Sequence, residues 1–235
     1  ARPMGAAARF RVHLSRPGRG SGAVFRLIPS RVPTVEDLGL PAAVGALSAA
    51  RRGLILVTGP TGSGKSTTLA AILDRMNKRF AHHIITVEDP IEFVHTNDKS
   101  VFTQREIGPD VPSFAEGVKA AIREDPDCLL VGEMRDLETM RMALTAAETG
   151  LLVFATVHTN SAAKAVDRII DAFPAAEQEQ VRIDLAEALR GVVAQQLLTK
   201  KSGGRLPAFE ILLGSAAVSN AIRVVKPGSH NNQNA

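Results

Sequence analysis

The 235-residue sequence holds one cysteine, no tryptophan, no tyrosine and only nine phenylalanines. A single thiol, Cys128, can neither close an intrachain disulfide nor build a cysteine-rich zinc site. Scarce aromatics remove the stacking platforms on which unpaired nucleic acid bases are held. No apolar run approaches the roughly 20 residues that cross a bilayer. The best, Leu54–Val57 and Leu151–Ala155, are strand-sized, so a soluble protein without membrane insertion is expected. The stretch Ala1–Arg11 carries three arginines and no apolar centre, and export is not expected.

What is present is ordinary globular usage, with 45% hydrophobic and 22% charged residues, enough for one main core. Lysine and arginine number 28 against 24 acidic residues, giving +4. That balance permits an anionic ligand but does not select one.

Two segments near the start, Phe10-Arg11-Val12-His13-Leu14 and Val24-Phe25-Arg26-Leu27, alternate apolar and polar residues around a Gly/Pro/Ser-rich turn. They predict a hairpin. Residues 1–28 are read as the remnant of a larger N-terminal module, since two strands alone do not stabilise a domain. Residues 29–40 are read as a linker, in which Thr34-Val35-Glu36-Asp37 predicts a capped helix start. From Gly53 onward, short apolar runs alternate with helical stretches: strands at 54–58, 84–87, 128–132 and 151–157, helices at 65–79, 113–124, 137–148 and 161–171. This pattern predicts an α/β domain over 41–225 with a mainly parallel sheet. A further helix is expected over 177–198, with Leu185, Leu189, Val192, Val193 and Leu197 on one side, then a turn at 200–204 and a strand near 207–213. The polar segment 226–235 is expected to be a flexible tail.

Gly59-Pro60-Thr61-Gly62-Ser63-Gly64-Lys65-Ser66 fits the phosphate-binding pattern G-x-x-x-x-G-K-[ST], directly after one predicted strand and before a predicted helix. Glycines let the backbone wrap a polyphosphate so that successive N–H groups face it. Lys65 can reach the terminal phosphates, Ser66 can offer its hydroxyl oxygen to Mg²⁺, and the helix that follows adds its positive end. Nucleoside triphosphate binding is the expectation.

Hydrolysis also needs a proton acceptor and metal ligands. Carboxylates at the carboxyl ends of parallel strands meet that need, because those ends face the ligand crevice. Two clusters qualify: Glu88-Asp89-Pro90-Ile91-Glu92 and Gly132-Glu133-Met134-Arg135-Asp136. Asp136 reads equally well as the cap of the next helix.

These blocks resemble the bacterial secretion and type IV pilus motor ATPases, and within them the PilT-like retraction ATPases. The resemblance covers residues 9–223. It rests on segment 59–67, Ile85–Phe93, Gln104-Arg105-Glu106, Arg123–Asp136, Ala147-Glu148-Thr149-Gly150 and Thr156-Val157-His158-Thr159-Asn160. It implies a RecA-like P-loop NTPase core after a PAS-like N-terminal domain, in a homo-hexameric ring with ATP and Mg²⁺ between domains. It further implies a cytoplasmic position at the inner face of the membrane, beside a pilus platform protein, with no nucleic acid partner. Carried over by residue, Lys65, Ser66 and Thr67 bind phosphate and Mg²⁺, with Asp89 and Glu133 as further metal candidates. Glu92 is the preferred base and Glu88 its rival, Glu133 is the Walker B acid, and His158 senses the phosphate state. Arg105 and Arg123, or Arg9, Arg11, Arg16 and Arg26, are candidates to reach across a subunit interface.

Two departures mark the sequence. Leu151 follows Gly150 where the retraction branch carries a second histidine, and Ala217–Val224 keeps only part of that branch's C-terminal motif. The assembly and secretion branch commonly carries a four-cysteine zinc element, which one cysteine cannot form. That absence favours the retraction branch; a pilus assembly or type II secretion ATPase of the zinc-free kind stays as the alternative, beside a nucleotide-gated scaffold without turnover and a DNA translocase.

Overall fold

The computed structural model describes residues 9–16, 18, 20–28 and 31–224. Strands β1 (Arg9–Ser15) and β2 (Gly22–Ile28) form the expected antiparallel hairpin, with Phe10 opposite Leu27 and Val12 opposite Phe25. The two-residue period places Phe10, Val12, Leu14, Phe25 and Leu27 on one face of this ribbon, and all of them are exposed.

The helix expected at Thr34 does not form. Thr34 Oγ1 accepts from the Asp37 N–H and Asp37 Oδ2 accepts from the Thr34 N–H, both at 3.0 Å. This reciprocal pair closes an isolated turn, because Gly39 takes a left-handed φ of 59° and Pro41 cannot continue a helix. Helix α1 (Ala42–Ala46) starts only after the proline.

The main sheet contains β3 (Gly53–Thr58), β4 (His83–Glu88), β5 (Val101–Glu106), β6 (Cys128–Val131), β7 (Leu152–Val157), β8 (Leu189–Thr199) and β9 (Arg205–Leu213). Its order is β5-β4-β6-β7-β3-β8-β9, parallel except for the antiparallel β8/β9 pair. Alternate residues of β3 serve opposite faces. Ile55 and Val57 pack with Val44, Phe154 and with Ile72, Leu73 and Met76 of helix α2 (Lys65–Arg79). Leu54 and Leu56 pack on the other side with residues of α3 (Phe114–Ile122), α4 (Leu137–Glu148), α5 (Ala162–Asp171) and α6 (Gln178–Ala188). Burial on both faces is why this strand reads as an unbroken apolar run.

The helix expected over 177–198 ends at Ala188, and residues 189–199 are β8 instead. Gly191 weakens a helix, and the β-branched pair Val192-Val193 favours the extended state. The decisive contribution is tertiary: β8 lies between β3 and β9, and Val192, Val193 and Ala194 are buried there. The expected 200–204 turn joins β8 to β9. A short helix α7 (Ala216–Arg223) closes the described chain, and the expected tail at 226–235 lies outside the described residues.

In this order β4, β6, β7 and β3 are consecutive. Parallel strands share one carboxyl edge, so segments 59–64, 88–95, 132–136 and 158–161 emerge side by side. All of the acidic candidates leave the sheet beside the glycine-rich turn.

Candidate nucleotide-binding site

The turn at 59–64 is built for close backbone approach. Gly59 has φ 145° and Gly64 φ 92°. A Cβ on Gly59 would stand 2.2 Å from the Gln195 carbonyl oxygen, and one on Gly64 would stand 2.8 Å from Gln195 Nε2. Gln195 itself is buried in β8. Its Nε2 donates to the Ser63 carbonyl at 2.7 Å, and its Oε1 accepts from Thr68 Oγ1 at 2.7 Å. One amide thus pins both the turn and the first turn of α2. The Ser63 hydroxyl oxygen is buried with no partner among the described residues.

Lys65 opens α2. Its Nζ donates to the carbonyls of Gly59 at 2.8 Å and Pro60 at 3.1 Å, and lies 3.5 Å from Nδ1 of His158. Burial pulls the Lys65 pKa down, opposed by the charges of Glu133 and Glu92. Glu133 sits just past β6, and its Oε1 accepts from Arg135 Nε at 2.6 Å and from His158 Nε2. Burial works to raise its pKa, but the hydrogen bonds from Arg135 and His158 and the Arg135 charge outweigh it and hold the carboxyl below its ordinary range. Lys65, His158, Glu133 and Arg135 therefore form one continuous polar chain.

Glu88 ends β4 and is half-buried. Its Oε1 accepts from Thr86 Oγ1 at 2.7 Å and Gln104 Nε2 at 3.2 Å. Burial nevertheless raises its pKa, and the neighbouring charge of Glu92 adds to that, against these hydrogen bonds and one from the Glu92 N–H. The half-buried Glu88 and Glu92 and the exposed Asp89 all line a single cavity of about 570 Å³. Thr61, Gly62, Gly64, Lys65, Ser66, Thr67, Glu133, Arg135 and His158 line it too. Gly59, Pro60 and Ser63 sit behind the turn, where Gly59 and Pro60 supply carbonyls to Lys65.

Two hydroxyls tie the floor together. Thr58 Oγ1 accepts from the Thr159 N–H at 2.9 Å, linking β3 to the segment that carries His158. Thr156 Oγ1 donates to the Gly132 carbonyl at 2.5 Å, linking β7 to the segment that carries Glu133.

Other candidates fall outside. Arg105 is paired with Glu124, its Nη2 donating at 2.7 and 2.8 Å. Arg123 is exposed at the end of α3. Neither lines the cavity. Arg16 is exposed in the hairpin; the side chains of Arg9, Arg11 and Arg26 lie outside the described residues. Asp136 caps α4, accepting from the Thr139 N–H and Oγ1, both at 2.8 Å.

Sequence reasoning passed over Gln195 and the role of Arg135. A glutamine inside the apolar run Val192–Leu198 was the available signal, since buried amides exist to satisfy other polar groups.

Among the described residues no cluster of His, Cys, Asp and Glu forms a ready metal cage. Magnesium does not require one, being held by one or two carboxylates together with substrate phosphates. Ser66, Asp89 and Glu133 line one wall system around the turn, and this hydroxyl and carboxylate donor set fits a hard cation.

Residues 7–211 match the family model described as Type II/IV secretion system protein. The chain belongs to this family. It is 57% identical over 216 residues to the type IV pilus retractation ATPase PilT of Pseudomonas aeruginosa, covering 92% of this chain and 63% of that protein. It is 55% identical to a twitching motility protein of Neisseria gonorrhoeae, covering 92% and 58%. A crystal structure of the pilus retraction motor PilT with bound ADP superposes with a TM-score of 0.90 at 50% identity, over 94% of this chain and 64% of that one. The chain thus spans about three fifths of the length of these family members. The α/β fold with its mainly parallel sheet is that of the family's motor structures.

Proposed function

We propose that this chain is the catalytic part of an ATPase that hydrolyses ATP with Mg²⁺ and powers type IV pilus retraction from a homo-hexameric ring. The observation that carries this reading is the convergence on one cavity of the glycine-rich turn, Lys65, three carboxylates of the 88–92 segment, Glu133 and His158. Likeness to retraction motors over nine tenths of the chain supports the direction of the work.

The polyphosphate lies against the N–H groups of 61–66 at the start of α2, where backbone donors and helix dipole favour an anion. Lys65 gives up the Gly59 and Pro60 carbonyls and takes the terminal phosphate oxygens. A bound Mg²⁺ would neutralise charge on the outer phosphates, and Ser66 with Asp89 or Glu133 would hold it. Glu92 orients a water and accepts its proton as the water oxygen bonds the terminal phosphorus and the bridging oxygen leaves with ADP. Glu88, whose Oε1 is already held by Thr86 Oγ1 and Gln104 Nε2, is tied back toward β5 and serves as the support of Glu92. His158 reports the loss of the terminal phosphate to Glu133 through their hydrogen bond.

In the ring, an arginine from a neighbouring copy supplies transition-state charge. Arg105 and Arg123, both remote from their own subunit's cavity, are the candidates of the main domain. The ring works at the inner face of the membrane against a pilus platform protein, and residues 1–28 belong to a PAS-like N-terminal domain.

Phosphate release by the full-length protein tests the chemistry. Lys65→Ala is expected to abolish nucleotide uptake. Glu92→Gln is expected to keep uptake and lower turnover by about 10² or more. Full turnover by Glu92→Gln with loss in Glu88→Gln would move the base to Glu88. Turnover by a folded Lys65→Ala would overturn the reading, and retained twitching in a host carrying only Lys65→Ala would overturn the retraction assignment.

A further inference from the structure

Segment 88–95 carries Glu88, Asp89 and Glu92, yet beyond Glu88 it has no regular structure of its own. Its backbone is satisfied from the neighbouring edge strand. Gln104 of β5 donates through Nε2 to Glu88 Oε1 at 3.2 Å and to the Phe93 carbonyl at 2.9 Å. Its Oε1 accepts from the His95 N–H at 2.8 Å. Two residues on, and so on the same side of the strand, Glu106 Oε2 accepts from the Ile91 N–H at 3.1 Å. The Ile107 N–H donates to the Glu88 carbonyl at 2.9 Å.

We infer that Gln104 is the positioning residue for the base-bearing segment, holding Glu92 in register from outside the cavity; this rests on the proposed ATPase reading of the site. A carboxamide suits the task because it donates and accepts at once. It grips the segment on both sides of Glu92, at Glu88 before it and at Phe93 and His95 after it, while the Glu92 carboxylate itself stays at the cavity wall. Gln104 does not line the cavity, so it touches neither nucleotide nor reacting water. Its loss shifts the base without altering the phosphate cradle, and displacements of about 1 Å at a reacting group cost roughly 10²-fold in rate.

The test uses the full-length protein and its parent side by side. Gln104→Met keeps the length and removes every hydrogen bond; Gln104→Glu keeps the acceptor for the His95 N–H, removes both donors and sets a second carboxylate beside Glu88. Both are expected to lower kcat by about 10- to 100-fold, with KM for ATP and the Kd of a fluorescent ADP analogue within about twofold of the parent. Amide exchange should quicken across 88–95 and stay unchanged across 59–67. Parental kcat in both variants, a loss expressed in KM and Kd, or exchange that quickens evenly over the whole chain would each overturn the assignment. The exchange measurement stands apart from turnover. Should the parent fail to hydrolyse ATP, the ATPase reading fails, while quickening confined to 88–95 would still establish the clamp and unchanged exchange would remove it.

Discussion

The Lys65 ammonium stands 3.5 Å from Nδ1 of His158, while Nε2 of the same ring bonds Glu133. An ammonium has three donors and no lone pair, so Nδ1 must accept and the ring must carry its proton on Nε2. Nitrogen NMR on labelled histidine in the nucleotide-free protein is expected to show the Nε2–H tautomer for His158. A proton on Nδ1 alone would contradict the relay from Lys65 to Glu133. In His158→Leu, Glu133 loses one of the groups that lower its pKa, which then moves up toward the ordinary carboxylate range.

Gln195→Leu removes the bonds to Ser63 and Thr68 and leaves their buried polar atoms unpaired, at about 1–3 kcal/mol for each such group. Denaturant melts should show that loss, and nucleotide titration a weaker uptake. Gly59→Ala is expected to be worse for binding, since its Cβ would meet the Gln195 carbonyl oxygen at 2.2 Å. Gly62→Ala makes no such contact, and its cost is the left-handed strain alone, about 1–2 kcal/mol. Equal effects from both alanines would count against the Gln195 backstop.

His95 stacks on Phe102 at 4.3 Å, and its Nδ1 is buried without a partner among the described residues. Burial drives its pKa from 6.5 down to about 4. As pH falls, the unfolded chain therefore takes up this proton first. The stability is fully present above about pH 6.5 and is lost on descent to about pH 4, by an amount on the order of 3 kcal/mol. Urea melts across that window should show the slope, and His95→Phe should flatten it. An unchanged slope would remove His95 from the account.

Asp136→Ala removes the cap of α4, worth about 0.5–2 kcal/mol. Thermal melts should register the loss, while kcat per folded molecule stays at the parental value. A turnover defect beyond that loss would return Asp136 to the list of chemical groups.

Much of this arrangement was legible in the sequence because local pattern and tertiary demand agreed. The strand at 54–57, the turn at 59–64 and the helix at 65–79 each announce themselves, and their contiguity fixes the cradle. The acidic groups were legible as strand-end residues. Their convergence depended on the strand order, which brings β4 and β6 to the same side of β3. Where pattern and packing disagreed, the reading failed. Leu185, Leu189, Val192 and Val193 satisfy a helical period, yet β3 and β9 capture residues from 189 onward as a strand. Strand β5 was missed because Thr103–Glu106 are polar on an edge, and their value lies in holding segment 88–95 rather than in burial. Asp37 answered Thr34 as a cap should, but Gly39 and Pro41 allowed no helix to follow.

Cys128 lies wholly inside the sheet, its thiol held far above its ordinary pKa by burial. Maleimide dyes will therefore pass Cys128 by in the folded protein. A cysteine introduced on the exposed turn at 200–204 and another on the outer surface of α4 become, within these 235 residues, the reactive attachment points for a fluorophore pair. Energy transfer between them follows the β8/β9 hairpin through the nucleotide cycle with Cys128 left in place.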